Sequence, residues 1–299
     1  MAQKIVPNLW FNGNAKEAVD FYLSAFPGSK LGEVTYYPRT KEEGLADFQT
    51  DLAGKELTVD FYTGDYRITT INAGPEFTFN QSLSFIVNFD PSQDTQAQEH
   101  LDALWDTLMD GGSVLMPLDE YPYSKRYGWV KDKYGLTWQL ILTNPEGDPR
   151  PFIMPSLLFA GENTNRAEEA VKFYTSLFDS KVGRLIPYGK ETGPAKAEAL
   201  MYGEFMLANE WFVVMDSGVP MDASFNEAFS LSIECKDQTE IDKFWEALSS
   251  VPEAEQCGWC KDKFGLSWQI VPENIGELMK RPDAYSHLMQ MKKLVIADF

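Results

Sequence analysis

Cys257 and Cys260 have the spacing that most invites a chemical interpretation in this 299-residue chain. Two thiols in a Cys-x-x-Cys motif form a redox pair or half of a zinc site. A redox pair normally opens a helix, whose N-terminus lowers the thiol pKa, but this motif is followed by Lys-Asp-Lys-Phe-Gly, which is typical of a turn. No second cysteine pair or nearby histidine completes a zinc site. We therefore expect two buried, unreactive thiols.

Acid–base and nucleophilic chemistry have few candidate residues. His100 and His287 are the only histidines, which excludes sites that use several imidazoles of one chain. Asp60 and Glu204 fall at matching strand positions and could act as bases, although carboxylates on strands usually lie on a solvated face. No predicted strand is followed by a glycine-rich turn and a helix, the arrangement that a nucleotide-like cofactor would need. The sequence therefore predicts no cofactor.

The excess of acidic residues argues against two classes of binding partner. The chain has 26 lysines and arginines and 45 aspartates and glutamates, a formal net charge of -19. Such a surface repels phosphate backbones and anionic lipids, so neither nucleic acid nor a membrane is an expected partner. The sequence shows no apolar run of membrane-span length and no signal-peptide pattern, and three cysteines are typical of a reducing compartment. These features predict a cytoplasmic location.

An internal repeat reveals the elements that would position these residues. Residues 17–26 return as residues 169–178 with seven identities in ten, and residues 128–139 return as 258–269 with nine in twelve. A stretch rich in helix and strand breakers separates the two copies near residues 144–151. In each copy, short β-rich runs alternate with apolar residues at helical spacing. The sequence predicts two homologous domains, residues 1–147 and 148–299, each made of two β-α-β-β-β units, with packed terminal helices over residues 277–299.

The repeated segments resemble a known family. The Pro-x-Leu-x-Phe strands at Pro7 and Pro155, the Glu-Ala-Val-x-Phe-Tyr helix and the Gly-Trp-x-Lys-Asp-Lys-x-Gly-Leu-x-Trp-Gln ending are similar to the PhnB-like branch of the glyoxalase, bleomycin-resistance and dioxygenase (vicinal oxygen chelate) superfamily. The resemblance implies an α+β fold of tandem glyoxalase-like domains, in which paired units form an incomplete barrel around a cleft. Relatives of half this length commonly form dimers, so the two domains are expected to pair within the chain, and a homodimer of the whole chain stays open.

The resemblance also implies where metal-dependent relatives hold their metal. Their ligands come from the first strand, from the strand that opens the second unit, from the final strand and from one further strand. The corresponding residues here are Pro7 and Pro155, Ser82 and Ser230, Gln139 and Gln269, and Asn72 and Asp216. Proline has no ligating side chain, and neutral serine is a poor ligand for a divalent metal. We therefore predict no metal site of the usual kind.

The candidate ligand-binding residues are polar or aromatic groups of the final strands. Gln139 and Gln269 each follow a tryptophan, and alternation along a strand puts the two side chains on opposite faces. The resemblance implies that the glutamine, at the metal-ligand position of relatives, faces the cleft and the tryptophan packs in the core. Trp129 and Trp259 lie on the preceding strand. The sequence leaves open whether each of them packs in the core or lines the cleft.

A longer connection in the first half adds further candidates. Residues 111–127 have no counterpart of equal length in the second half and predict a hairpin. Tyr121, Tyr123, Ser124 and Arg126 could form a lid over a planar ligand that carries a carboxylate or phosphate. A solvated hairpin, or one that covers the junction between the domains, is the alternative.

Two functions remain open from the sequence. The first is a metal-free binding or resistance-type protein that takes up a small organic molecule in its clefts. The second is an enzyme of the superfamily, of lyase, isomerase or dioxygenase type, that acts through a metal or through a cleft acid such as Asp60. In either case one half could serve only as a scaffold, and the shorter second half is the expected one.

Overall fold

The computed structural model describes residues 3–299, which form an α+β protein. The strands are β1 (Ile5–Phe11), β2 (Lys30–Tyr36), β3 (Glu56–Thr63), β4 (Tyr66–Asn72), β5 (Leu83–Phe89), β6 (Ser113–Tyr121), β7 (Ser124–Lys131), β8 (Thr137–Leu142), β9 (Ile153–Phe159), β10 (Val182–Pro187), β11 (Leu200–Leu207), β12 (Glu210–Asp216), β13 (Phe229–Cys235), β14 (Trp259–Lys261) and β15 (Ser267–Pro272). The helices are α1 (Ala15–Ala25), α2 (Ala97–Met109), α3 (Ala167–Leu177), α4 (Gln238–Leu248), α5 (Ile275–Leu278) and α6 (Ala284–Gln290). Within residues 3–299, none of the helices combines the length and the hydropathy of a membrane span.

The strands form two open sheets that belong to two compact units. The first unit comprises residues 3–23, 28–77 and 225–299, and its sheet has the order β14-β15-β13-β1-β4-β3-β2. The second unit comprises residues 24–27 and 78–224, and its sheet has the order β10-β11-β12-β9-β5-β8-β7-β6. Each unit therefore takes one module from each half of the sequence repeat; three of the four modules are β-α-β-β-β, and the last, β13-α4-β14-β15, has one strand fewer. The boundaries 1–147 and 148–299 describe the repeat, whereas the compact units combine its modules across that boundary.

The modules of each unit meet where their first strands pair. In the first unit β1 runs antiparallel to β13, and in the second unit β5 runs antiparallel to β9. We call these two strand pairs the seams. Both sheets stay open, as the predicted incomplete barrel requires.

Helices α1 and α3 are capped by the end of a strand of the same module. Asn72 Oδ1 accepts a hydrogen bond from the amide of Ala15 at 2.9 Å. Asp216 accepts bonds from the amides of Asn165 and Ala167 with Oδ1 and from that of Leu200 with Oδ2. Such bonds satisfy the donors that a helix leaves unpaired at its N-terminus. The oxygens proposed as metal donors on Asn72 and Asp216 therefore hold the backbone in place.

The repeated Lys-Asp-Lys ending is explained by one buried aspartate in each copy. Asp132 Oδ1 accepts bonds from the amides of Tyr134 and Leu136, and its Oδ2 accepts the indole N–H of Trp138 at 2.8 Å. Asp262 and Trp268 repeat the arrangement, also at 2.8 Å. Trp138 and Trp268 are fully buried, as core packing requires. The most conspicuous repeat of the sequence thus stabilises a turn and anchors a core tryptophan.

The halves differ at one sheet edge. The first half has the predicted hairpin β6–β7, whereas the second half has only β14, preceded by a short turn of 3-10 helix. The C-terminal segment borders this shortened region: the amides of Cys257 and Gly258 donate to the carbonyl oxygens of Met291 and Lys292 at 2.8 and 2.7 Å. In this segment Leu278, Ala284, Leu294 and Phe299 form a buried cluster against which Val271 of β15 packs.

The turn aspartate should be a major contributor to the stability of the second unit. Asp132→Ala leaves the Trp138 indole N–H and two amides without their acceptor, and we expect the free energy of unfolding to fall by about 3 kcal/mol. Asp110→Ala, which removes an exposed carboxylate, should change it by less than about 0.5 kcal/mol. Urea unfolding followed by tryptophan fluorescence measures both. Small changes of equal size in the two variants would contradict the structural role of the motif.

Candidate functional site

The candidate site is built on the face of each sheet that does not carry the helices, called the open face below. In the first unit Asn72 caps α1, so Thr69, three residues earlier on β4, points to the open face. Thr69 lies beside Asp60 on β3 and beside Asn8 on β1, and Asn8 lies beside Ser230 across the seam. Hydrogen-bonding residues therefore follow one another across four strands.

Gln269 on β15 extends this line to a fifth strand. Its Nε2 donates to Ser230 Oγ at 3.0 Å. We call the set the polar row of the first unit: Asp60, Thr69, Asn8, Ser230 and Gln269.

In the second unit the same strand register places an apolar residue within the corresponding row, and the side chain of its glutamine is fully hydrogen-bonded within the protein. Val213 occupies the position of Thr69 and breaks the row. Gln139 is buried, and its Nε2 donates to Ser84 Oγ at 2.9 Å and to Ser156 Oγ at 3.2 Å. Its Oε1 accepts a bond from Tyr127 Oη at 2.8 Å. All three bonds of Gln139 are internal, so this glutamine fastens the sheet at the seam.

Gln269 is bound less completely. The residue that corresponds to Tyr127 is Cys257, so no hydroxyl reaches the amide oxygen. In the described part of the chain Gln269 forms one side-chain bond, to Ser230, and its Oε1 has no donor. Asn8 similarly donates Nδ2 to the carbonyl oxygen of Val6 at 3.1 Å, and its Oδ1 has no donor among residues 3–299. The open face of the first unit therefore presents two unused acceptors.

The strand register corrects two sequence-based assignments. Pro7 pairs with Leu231, and Pro155 pairs with Phe85. Leu231 and Phe85 are core residues, so both prolines point away from the open face. The first-strand residues on the open face are instead the neighbours of each proline, such as Asn8. The Pro-Asn-Leu-x-Phe pattern contains this signal, because the residue after the proline has the opposite orientation.

The predicted correspondence of Ser82 with Ser230 is wrong by two residues. Phe85 lies beside Trp138 and Leu231 lies beside Trp268, so Ser84 is the counterpart of Ser230. Sequence identity alone favoured the slipped alignment, because the Ser-Leu-Ser motif repeats with the period of a strand.

A tryptophan lies beside each of the two glutamines on the neighbouring strand. Trp259 lies beside Gln269, and its ring meets that of Trp10 edge to face with centroids 6.0 Å apart. Trp129 lies beside Gln139 and packs against the buried cluster around Leu158. The Trp129 indole N–H is buried and has no acceptor within the described residues.

A charged cluster closes one end of the polar row. Thr69 Oγ1 donates to Asp60 Oδ1 at 2.7 Å, and Arg67 forms an ion pair with Glu234 while its Nη1 lies 4.0 Å from Asp60 Oδ2. Burial raises the pKa of Asp60 above its ordinary value, and nearby Glu33 and Glu234 act in the same direction. The Thr69 bond and the Arg67 charge oppose the shift.

Glu204 occupies the position of Asp60 in the second unit. It accepts hydrogen bonds from Arg150 Nη2 and Tyr202 Oη, each at 2.8 Å, and Arg150 lies over the ring of Trp211. The side chains of Asp60 and Glu204 are only 14% and 9% exposed. The solvated-face interpretation of these two carboxylates is therefore wrong, because both are held by an arginine and a hydroxyl.

The proposed lid does not assemble as one group. Tyr121, Tyr123 and Tyr127 form an aromatic cluster with ring centroids 5.2–5.6 Å apart. Arg126 precedes Tyr127 on β7 and points the other way, where its Nε donates to Asp102 Oδ1 of α2 at 2.7 Å. A ligand that contacts the three tyrosines cannot at the same time bind the Arg126 guanidinium.

Asp60 is the one titratable side chain of the polar row, and the histidines and cysteines are not part of it. No group of three or more His, Cys, Asp or Glu side chains within residues 3–299 is arranged to hold a metal ion. His100 pairs with Asp94 beside α2. The three cysteines are free, and burial raises the pKa of Cys260 to about 12 and shifts that of Cys257 in the same direction. Of the motif's two thiols only that of Cys260 is buried, whereas Cys257 is partly exposed, so the expectation of two buried thiols is wrong for Cys257.

Loss of the hydroxyl that binds Gln139 tests the saturated network. Tyr127→Phe leaves the buried amide oxygen without a donor, and we expect the free energy of unfolding to fall by about 1–2 kcal/mol. Tyr123→Phe, a matched change at the exposed end of the same aromatic cluster, should have less than about half of that effect. Denaturant unfolding distinguishes the two. An unchanged stability of the Tyr127 variant would show that Gln139 is not fastened in this way.

Comparisons with known proteins identify the family to which this sequence belongs. The model of the family described as 3-demethylubiquinone-9 3-methyltransferase matches residues 3–141 and 151–271. The PhnB protein from Bacillus cereus is 31% identical and covers 47% of this chain with all of its own length, at a TM-score of 0.40. Protein PA1353 from Pseudomonas aeruginosa is 24% identical and covers 47% of this chain and 98% of its own, at a TM-score of 0.39. A comparison with curated sequences gives no significant match.

Fold similarity extends over the whole chain. Glyoxalase I from Zea mays aligns with 96% of this chain and 96% of its own at a TM-score of 0.56 and 13% identity. This likeness concerns the fold alone, and it confirms the predicted tandem glyoxalase-like architecture. Because the family model matches most of the sequence in two consecutive segments, the chain belongs to the PhnB-like family described as 3-demethylubiquinone-9 3-methyltransferase.

Proposed function

We propose that the protein binds a small organic molecule on the open face of its first unit, without a metal held by the strand positions that metal-dependent relatives use. The observation that carries this proposal is the pair of unused acceptors, Gln269 Oε1 and Asn8 Oδ1, beside the rings of Trp10 and Trp259. Small-molecule sites combine apolar walls with a few polar groups that fix orientation, and these four residues supply both.

The chemistry of these groups defines the ligand class. Both amide oxygens accept hydrogen bonds, and the Asp60 carboxylate at the end of the row is also an acceptor. A complementary ligand therefore carries N–H or O–H groups, and a planar aromatic body suits the two tryptophans. The ligand is a small aromatic hydrogen-bond donor.

A divalent metal does not suit this set of residues. The side chains nearest the seam are neutral amides and hydroxyls, so they would not balance two positive charges. The Asp60 carboxylate is already bound by Thr69 and lies near the Arg67 guanidinium. The proposal therefore keeps the expectation that no metal or other cofactor takes part.

The open face of the second unit favours a structural role. Gln139 has no unused hydrogen-bonding group, and Ile86, Met154 and Val213 form a buried apolar cluster on that face. Because Asn8 comes from the first half of the sequence and Gln269 from the second, we propose that one site needs both halves. This differs from the expectation that the second half is the scaffold.

An acid–base enzyme is the second candidate, and a single observation favours it. Asp60 is buried, its pKa is raised, and it lies at the end of the same polar row. A carboxyl group whose pKa rises toward neutrality is better able to exchange protons with a substrate. A ligand anchored at Gln269 and Asn8 would extend toward this group.

Binding of a defined probe pair tests the proposed ligand class. We expect resorcinol to bind and 1,3-dimethoxybenzene, which lacks hydrogen-bond donors, to bind at least about fivefold more weakly. Gln269→Ala should weaken the binding of resorcinol about five- to tenfold, because one hydrogen bond is lost. Gln93→Ala, an exposed change, is the control. Isothermal titration calorimetry gives the affinities, and equal binding of both probes would overturn the proposal.

The protonation of Asp60 has a testable effect on stability. Its folded pKa is raised, so the folded state holds a proton that the unfolded state releases, and the stability from this group falls as pH rises above its ordinary value of 3.8. The stability of the wild type minus that of Asp60→Asn should therefore decrease with pH through this acidic range. Denaturant unfolding across the range measures the difference, with Asp65→Asn as the control for loss of one charge. A difference that increases with pH would mean that the Arg67 charge outweighs burial.

A further inference from the structure

A groove lies on the other side of the second unit's sheet, between α2 and the β6–β7 hairpin. Its volume is about 510 Å³, which is enough for a small organic molecule. It is distinct from the open face, because Arg126 lines the groove while the adjacent Tyr127 points to Gln139. The proposed function does not use it.

The apolar wall of the groove comes from both elements. Trp105 of α2 and Val114 and Leu118 of β6 line it, and Val114 is 47% exposed. The indole of Trp105 lies directly on the backbone of β7: a Cβ at Gly128 would be 2.5 Å from its ring. Gly128 therefore lets the tryptophan remain against the strand and leaves the groove open.

The groove is lined by more acidic than basic side chains. Arg126 Nε is bound to Asp102 Oδ1 at 2.7 Å, and this ion pair is only partly exposed. Asp106, one turn later on α2, also lines the groove, and its carboxylate has no hydrogen bond or ion pair with any residue of the described chain. One negative charge thus remains beside an apolar wall, in a protein whose formal net charge is -19.

The repeat shows that the core does not require this groove. The second half keeps the helix α4 and the strands β14 and β15 but lacks a counterpart of β6, the strand that supplies Val114 and Leu118. The last module therefore forms its core without this strand, and the β6 residues that line the groove have no counterpart there.

We propose that this groove binds amphipathic amines. The ammonium group pairs with the Asp106 carboxylate, and the aliphatic part packs against Trp105, Val114 and Leu118. An ammonium suits the site because, among the charged groove residues, only Asp106 is without a partner within residues 3–299, and a flexible aliphatic chain suits the apolar wall.

Hexylamine, which is protonated at neutral pH, and 1-hexanol, its neutral counterpart, are the probes. The full chain is titrated with each, and the indole N–H signal of Trp105 is followed by NMR after assignment with Trp105→Phe. We expect saturable shifts of this signal with hexylamine and at least about threefold weaker binding of hexanol. Asp106→Asn should weaken hexylamine binding about three- to fivefold. Glu99→Gln removes one charge from the same helix outside the groove and should change the affinity less than twofold, within about 0.4 kcal/mol.

Three results would overturn the proposal. These are the absence of saturable Trp105 shifts at millimolar hexylamine, equal affinities for hexylamine and hexanol, and equal effects of Asp106→Asn and Glu99→Gln. Because Gln269 and the polar row lie in the other unit, failure here leaves the proposed function unaffected, and resorcinol binding does not bear on the groove.

Discussion

The seams between first strands are the constraint on which the rest of the structure depends. At each seam a serine of one module meets a small polar residue of the other: Ser84 meets Ser156, and Ser230 meets Asn8. Polar groups buried in the middle of a sheet need hydrogen bonds, and the glutamine of the neighbouring strand supplies one in both units. The seam thus joins the modules, and its hydrogen bonds determine which polar atoms keep unused bonding capacity.

The two units satisfy this constraint in different ways. In the second unit Tyr127 completes the bonding of the glutamine, and Val213 makes the neighbouring position apolar. In the first unit the corresponding residues are Cys257 and Thr69, so the amide oxygen has no donor within residues 3–299 and the polar row continues to a largely buried carboxylate. A few side chains thus distinguish the two faces, and the proposed binding site rests on this difference. The hairpin of the first half forms the edge of the second unit's sheet, and the last module of the chain lacks its outer strand.

Much of the architecture could be predicted from the sequence, because the repeat, the helical spacing and the strand alternation are local signals. Alternation together with the resemblance correctly placed Trp138 and Trp268 in the core. The pairing of modules across the halves could not be predicted, because either partner offers a similar seam strand and no local pattern chooses between them. The position of Ser84 does not follow from the sequence, because a slip of two residues preserves the strand pattern. The separation of Arg126 from Tyr121 does not follow either, because it depends on the side of the hairpin that each residue faces. The sequence predicts Asp60 and Glu204 on a solvated face because it does not reveal their arginine partners. Arg67 lies on the strand next to Asp60, and Arg150 is distant from Glu204 in sequence.

The central claim is that unused amide oxygens at the first seam receive a ligand while those at the second are saturated. The most direct measurement is the NMR spectrum of the side-chain amides during a titration with resorcinol. The account predicts that the signals of Gln269 and Asn8 shift together and saturate while that of Gln139 stays in place. Shifts at Gln139 without shifts at Gln269 and Asn8 would contradict it.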